Sequence, residues 1–322
     1  MKTPFDLDHN RLILGARAGR EPSYLLPALY VISLQTMVLI VSLALGAVVA
    51  VAFMLSPELN LETFRDPQAL LDLFTGRYPG LYMLISLPQF LVLIGYTWVW
   101  VRLVEGRPFR AIGLATPRPL LEWLRGAAVG VGLFALSILL IGLRGDLRWA
   151  GLAPAGMGPA LLWTAITLLF FLIQGPAEEV MARGYLLPVL TARGGLLVGV
   201  TVSSLLFAVE HLLNPHLTVL SVVNLFLYGA LAALYALREG GLWGVFGLHT
   251  AWNWVQGNVL GLPVSGSAFG PAPLFDLDTA GPAWWGGGAF GPEGGLVVTL
   301  PTLAAIVALL VWRRRAGSPG SR

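Results

Sequence analysis

Residues 161–190 read LLWTAITLLFFLIQGPAEEVMARGYLLPVL. An uncharged run up to Ala177 meets Glu178, Glu179 and Arg183, and apolar sequence then resumes to Leu190. Hydropathy alone would end a helix at Ala177 and leave both glutamates in a loop. The spacing argues for continuation: Glu179 and Arg183 stand at i and i+4 with the acid first, the better orientation for a helical ion pair. Glu178 lies about 100° round the wheel from Glu179 and is free to point elsewhere. The stretch is predicted to be one membrane helix, kinked near Gly175–Pro176, that carries ionisable groups. Each such group costs roughly 2.5–3.5 kcal/mol on insertion scales and so asks for a partner or a purpose.

The rest of the chain supports a membrane setting. Of 322 residues, 56% are hydrophobic and 11% charged, and the mean hydropathy is +0.76. Uncharged windows at 22–57, 78–101, 149–177 and 212–237 each exceed the ~20 residues a helix needs to cross hydrocarbon. Eight crossings are predicted, at 25–56, 80–101, 127–143, 161–190, 194–213, 218–237, 242–259 and 295–312, giving an all-α polytopic membrane protein with an intramembrane polar site. The first stretch is longer than one bilayer thickness, so part of it is expected to tilt or lie in the interface. It is also far longer than the roughly 7–15 residues of a signal-peptide core, and reads as an anchor.

Composition removes several function classes. No cysteine is present, so a disulfide framework, a thiolate nucleophile and Cys-ligated metal centres drop out. A net charge of only +3, with arginines in short loops between apolar runs, fits a positive-inside membrane protein better than a nucleic-acid binder. Sixteen of the twenty Lys and Arg, including Arg313 to Arg315, fall on one side; Arg65, Arg77, Arg144 and Arg148 fall on the other. Both termini are therefore expected to be cytoplasmic, in the plasma (cell inner) membrane.

The predicted organisation is a tail at 1–24, three helices with their loops at 25–160, a core at 161–259, a Gly/Pro-rich outer loop at 260–294, and a last helix with a basic tail at 295–322. The outer loop has no Lys or Arg from 261 to 294. It is expected to be solvated, with Trp284 and Trp285 at the headgroups, and Asp276 and Asp278 lack a third ligand for a cation.

Few other polar residues interrupt the core. Glu210 and His211 end the fifth predicted span, His249 lies in the seventh, and Asn224, Asn253 and Gln256 are amides within helices. Counting rise per residue puts Glu178, His211 and His249 at depths of roughly 18, 25 and 13 Å, which modest tilt would bring to one level. Phe207 and His211 share a face at i, i+4, as do His249 and Asn253. Alone, His211 reads as interfacial, His249 as a packed histidine and Asn253 as helix glue. Their coincidence with two carboxylates, in a chain with four histidines, points to one polar site. His216 and Glu210 are taken as interfacial, Asn224 with Tyr228 at i+4 as helix packing in preference to lining the same cavity, and Glu179–Arg183 equally as a structural ion pair or a site component.

Two histidines, a carboxylate and amide donors suit hydrolysis by an activated water. In one version Glu178 and His211 hold and deprotonate the water while His249 and Asn253 receive the oxyanion. In another, Glu178, His211 and His249 ligate zinc or another divalent metal in a His₂Glu set. The residues leave both open. No G-x-S-G, H-E-x-x-H or intramembrane aspartate pair is present.

The run Glu178-Glu179-Val-Met-Ala-Arg183-Gly184 resembles the E-E-x-x-x-R-G motif of the CPBP family, the CAAX-protease and bacteriocin-processing membrane proteins. Phe207-Ala-Val-Glu-His211 is similar to its F-x-x-x-H motif and His249-Thr-Ala-Trp-Asn253 to its H-x-x-x-N motif. The resemblance implies an intramembrane endopeptidase acting on a peptide or membrane-protein substrate. Glu178 would be the water-activating carboxylate with His211 as its partner, Glu179 and Arg183 would orient the site, and His249 with Asn253 would stabilise the oxyanion. The rival expectation is a non-catalytic membrane protein, for immunity, scaffolding or transport assistance, that uses the cluster for binding or proton relay.

Overall fold

The computed structural model describes residues 5–54 and 78–311. Arg65, Arg77 and the Arg313 to Arg315 cluster, on which part of the charge count rests, lie outside the described residues. Among the described residues, five helical stretches are long and apolar enough to cross a membrane, and one shorter apolar helix accompanies them. The protein is all-α and polytopic.

The chain begins with α1 (Arg11–Arg17), capped by the Asn10 side chain accepting from Leu12 N. The segment expected to be a simple tail is thus partly folded, with Leu12 and Ile13 fully buried. Its charges hid a short amphipathic turn. Next comes α2 (Leu25–Met54), whose 30 residues span about 45 Å at 1.5 Å per residue, longer than the hydrocarbon layer. The following helix, α3 (Pro79–Val99), runs on through a π-helical turn at Trp100–Val104. Tyr30 on α2 and Thr97 on α3 share a buried hydrogen bond of 2.6 Å that ties the two together.

Behind these lie α4 (Pro119–Leu143), α5 (Met157–Glu179), a π-helical stretch Val180–Leu186, and α6 (Leu187–Glu210). The helical rod from Met157 to Glu210 is broken at Gly195, where φ of 81° and ψ of 176° leave the helical region. Glycine takes that conformation at little steric cost, and the chain reverses where the sequence placed its break. Then follow α7 (Val219–Glu239), α8 (Trp243–Trp254) with a π-helical extension Val255–Val259, and α9 (Leu296–Val311). Large apolar side chains on the outer faces are exposed, Leu103 by 75% and Leu197 by 79%. That would be a liability in water and is ordinary against lipid.

Close packing of α4 on α8 sets the depth of the site. A Cβ at Gly126 would lie 1.7 Å from Gly244 O, and one at Gly247 1.9 Å from Trp123 O. Only hydrogen fits there. Backbones approach across small residues, the usual basis of helix association in lipid, and His249 is two positions beyond the contact.

The outer loop is where the sequence expectation fails. It is not an open solvated segment: Leu262, Val264, Ala272 and Phe290 are buried. Part of it forms β2 (Phe275–Thr279), paired antiparallel with β1 (Leu147–Leu152) across a bulge between Trp149 and Gly151. Asp276 and Asp278 therefore stand on a strand, opposite Gly151 and Arg148. Trp284 is exposed, and Arg144 stacks over it at 5.2 Å. Gly266 N donates to Phe290 O at 2.9 Å, closing the loop on itself. Strand pairing and turn contacts of this kind leave no hydropathy signal.

Candidate active site

Glu178 is the penultimate residue of α5, just before the π-helical turn. Such turns are frequent at functional sites because they re-aim side chains without breaking the helix. Its Oε1 accepts a hydrogen bond from Gln174 Nε2 at 2.6 Å. Its Oε2 is buried and has no hydrogen-bond partner, and lies 3.9 Å from His211 Nε2 and 3.8 Å from His249 Nε2. The three side chains that the sequence placed at one level thus converge. Both gaps exceed a direct hydrogen bond, and both match a water touching each atom at about 2.8 Å.

The two imidazoles are oriented from behind by different partners. His211 caps α6, where Asn214–Pro215 prevents further helix. Its Nδ1 is 2.8 Å from Phe207 O. A carbonyl only accepts, so Nδ1 carries a proton and Nε2 is the ring atom turned toward Glu178. His249 instead directs Nδ1 at Glu179 Oε1, 2.8 Å away. The same carboxylate takes Arg183 Nη1 at 3.0 Å. Arg183 is fully buried, donates through Nη2 to Gly229 O at 3.1 Å, and stacks on Phe207 at 4.5 Å. Glu179 and Arg183 are therefore both a buried ion pair and the support of a histidine.

Asn253, one turn after His249, donates through Nδ2 to Gln174 Oε1 at 3.0 Å. Gln174 is the residue that sequence reasoning missed. It binds Glu178 with its amide nitrogen and Asn253 with its oxygen, joining two elements of the site. Its position four residues before Glu178 in an otherwise apolar run was the available signal. Tyr228, noted beside Asn224 from spacing, has its ring 5.2 Å from His249, and its buried Oη has no partner. Gln256 bonds Trp252 and Pro263 O instead, and serves packing.

A cavity of about 400 Å³ opens on these groups. Helices outside the motif-bearing core close one side of it: Gln35 and Ser42 from α2, Ser86 and Gln89 from α3. Glu210, expected to be interfacial, lines the cavity and accepts from Gln35 Nε2 at 2.5 Å. Asn224 straps the outer loop, donating to Glu293 O at 2.7 Å and Gly295 O at 2.9 Å. That loop brings Glu293 to the cavity wall, where its Oε2 accepts from Ser265 N at 2.6 Å and Ser265 Oγ at 2.7 Å. Burial pushes the Glu293 carboxyl above its ordinary range, against the hydrogen bonds from Ser265 and the pull of His211 and His249.

A metal shared by Glu178, His211 and His249 was one sequence expectation. Tetrahedral zinc with bonds of ~2.0–2.1 Å brings ligand atoms within about 3.3 Å of each other. The Glu178–imidazole gaps of 3.8 and 3.9 Å are wider. Among the described residues no group of three or more His, Cys, Asp or Glu is placed to hold a metal ion. As arranged, the three side chains fit a water better than a common ion.

Residues 159–255, under a third of the chain, match the family model described as type II CAAX prenyl endopeptidase Rce1-like. This segment contains Glu178, Glu179, Arg183, His211, His249 and Asn253. The matched segment is thus similar to CAAX prenyl endopeptidases and carries the same three motifs that resemble the CPBP family. Nothing matches among curated proteins or among solved structures. The matched segment comprises α5 to α8, while α2, α3 and the Gly/Pro-rich loop that complete the cavity lie beyond it.

Proposed function

We propose that this protein is an intramembrane endopeptidase that hydrolyses a peptide bond with a water activated by Glu178 and His211. The observation that carries the reading is the buried, unpartnered Glu178 Oε2 facing two imidazole Nε2 atoms. A buried carboxylate oxygen left without a donor is costly, and a reactive water offsets that cost. The similarity of residues 159–255 to CAAX prenyl endopeptidases supports the same activity.

In the proposed sequence the water lies between Glu178 Oε2 and His211 Nε2. Glu178 takes one of its protons, and the hydroxide oxygen bonds to the scissile carbonyl carbon. The carbonyl oxygen becomes an oxyanion facing His249 Nε2 and Asn253 Nδ2. With Nδ1 donated to Glu179, His249 donates from Nε2 as the imidazolium, for which Glu179 is the counter-charge. Collapse breaks the C–N bond, and the proton on Glu178 passes to the leaving amine. The products are a carboxylic acid and an amine, and one water is consumed.

The test is Glu178→Gln in the purified chain, assayed against a panel of membrane and lipidated peptides with and without chelator. The amide keeps the shape and the Gln174 contact but removes the base. Hydrolysis is expected to fall about 10²–10⁴-fold, the range of a general base, at unchanged expression, and chelator is expected to leave the wild type active. Full activity in the variant would end the reading. Chelator inactivation reversed by zinc would replace it with a metal-dependent one.

A further inference from the structure

The CPBP motifs account for part of the cavity lining and leave Glu293, from the loop beyond them, unexplained. Its carboxyl is held in place with unusual thoroughness. The Glu293 backbone is strapped by Asn224 through Glu293 O and Gly295 O, and Asn224 Oδ1 in turn accepts from Thr299 Oγ1 at 2.6 Å. The side chain is fixed by two donors from Ser265. Ser265 O accepts from Asn214 Nδ2 at 3.0 Å, which latches the loop to the turn just after His211. Fold stability alone gives no reason to carry a carboxyl into a membrane-embedded cavity and orient it so, since burial of a charged group is unfavourable without a partner.

The chemistry of the cavity says what the partner is. Its acidic and histidine lining comprises Glu178, Glu210 and Glu293 with His211 and His249, and among the described residues no Lys or Arg lines it. Arg183 is turned away onto Glu179 and Gly229 O. A second, independent observation points to a ligand: Tyr228, about nine-tenths buried and lining the same cavity, has no partner for its Oη. A carboxylate placed beside Glu293 meets another acceptor, whereas a Lys or Arg side chain brings donors and complementary charge, and electrostatic complementarity is the usual source of specificity.

We infer that Glu293 is a specificity-determining residue, which selects membrane peptide segments bearing a Lys or Arg side chain beside the scissile bond and disfavours segments bearing an acidic one there. The inference rests on the peptidase reading for the word scissile, but its test reads binding and does not require turnover.

Three fluorescent Leu/Ala-rich membrane peptides with a central Lys, Gln or Glu serve as probes, titrated onto the full-length chain in lipid nanodiscs. The expected order of affinity is Lys, then Gln, then Glu, with about tenfold between the extremes. Glu293→Gln, which keeps an acceptor for Ser265, is expected to compress that range at least threefold. Should that variant misfold, Ser265→Ala releases the side chain and is expected to compress it as well. Equal affinity of the three peptides for the wild type overturns the inference, and so does an order unchanged in a folded variant. Ordered binding with no Glu178-dependent cleavage keeps the inference and sinks the peptidase reading; cleavage without ordered binding does the reverse.

Discussion

Glu179 Oε1 accepts from His249 Nδ1 at 2.8 Å and from Arg183 Nη1 at 3.0 Å, so one carboxylate serves a cation on its own helical rod and a histidine seventy residues away. Removing Arg183 leaves this buried carboxylate with His249 as its remaining partner. Arg183→Gln is expected to destabilise the protein by about 3–5 kcal/mol, the cost of breaking a buried pair from one side. Unfolding in detergent measures it. Stability equal to wild type would show that Arg183 has no structural part.

Gln174 joins Glu178 to Asn253. Gln174→Leu keeps the volume and removes both hydrogen bonds, one of them to a carboxylate. A charge-assisted bond is worth about 1.5–3 kcal/mol, so kcat is expected to fall about tenfold or more, with KM little changed because the substrate contacts remain. A change confined to KM would place Gln174 in substrate binding instead.

Much of this site was legible in the sequence, for identifiable reasons. Ionisable residues in apolar helices are expensive, so Glu178, His211 and His249 stood out against their background, and counting the rise per residue brought them to similar depth. Helical spacing gave the Glu179–Arg183 pair, now seen with a carboxylate oxygen and the guanidinium 3.0 Å apart. What stayed hidden has no periodic signature. The contact of Gly126 with Gly244 O depends on two helices meeting, and the β1–β2 pairing joins segments more than a hundred residues apart. Glu293 lay in a Gly/Pro-rich run whose composition reads as solvent loop, and Asn224, taken for helix packing, is one of the residues that tie it to the cavity.

Tyr228 Oη is buried without a partner, a deficit that a substrate carbonyl or oxyanion beside His249 removes. Tyr228→Phe deletes a hydroxyl that makes no hydrogen bond within the protein, so thermal stability is expected to hold or rise. On the proposed reading, kcat falls about tenfold or more, short of losing a full oxyanion-hole donor. Loss of stability with kcat intact would assign the hydroxyl to packing.

Glu293 also makes stability depend on pH. Burial raises its carboxyl pKa above the ordinary 4.5, so the folded chain holds this proton more tightly than the unfolded chain. Its contribution is fully present below pH 4.5 and is lost as pH rises through the raised folded value, because the unfolded state gives up the proton first. Glutamine does not titrate. The melting temperature of Glu293→Gln relative to wild type is therefore expected to rise between pH 4 and pH 8, with Ser265 still donating to the amide oxygen. A difference that stays flat with pH would mean that the carboxyl ionises as it does in water. A difference that falls with pH would mean that His211 and His249, whose charges favour the carboxylate, outweigh burial at this wall of the cavity.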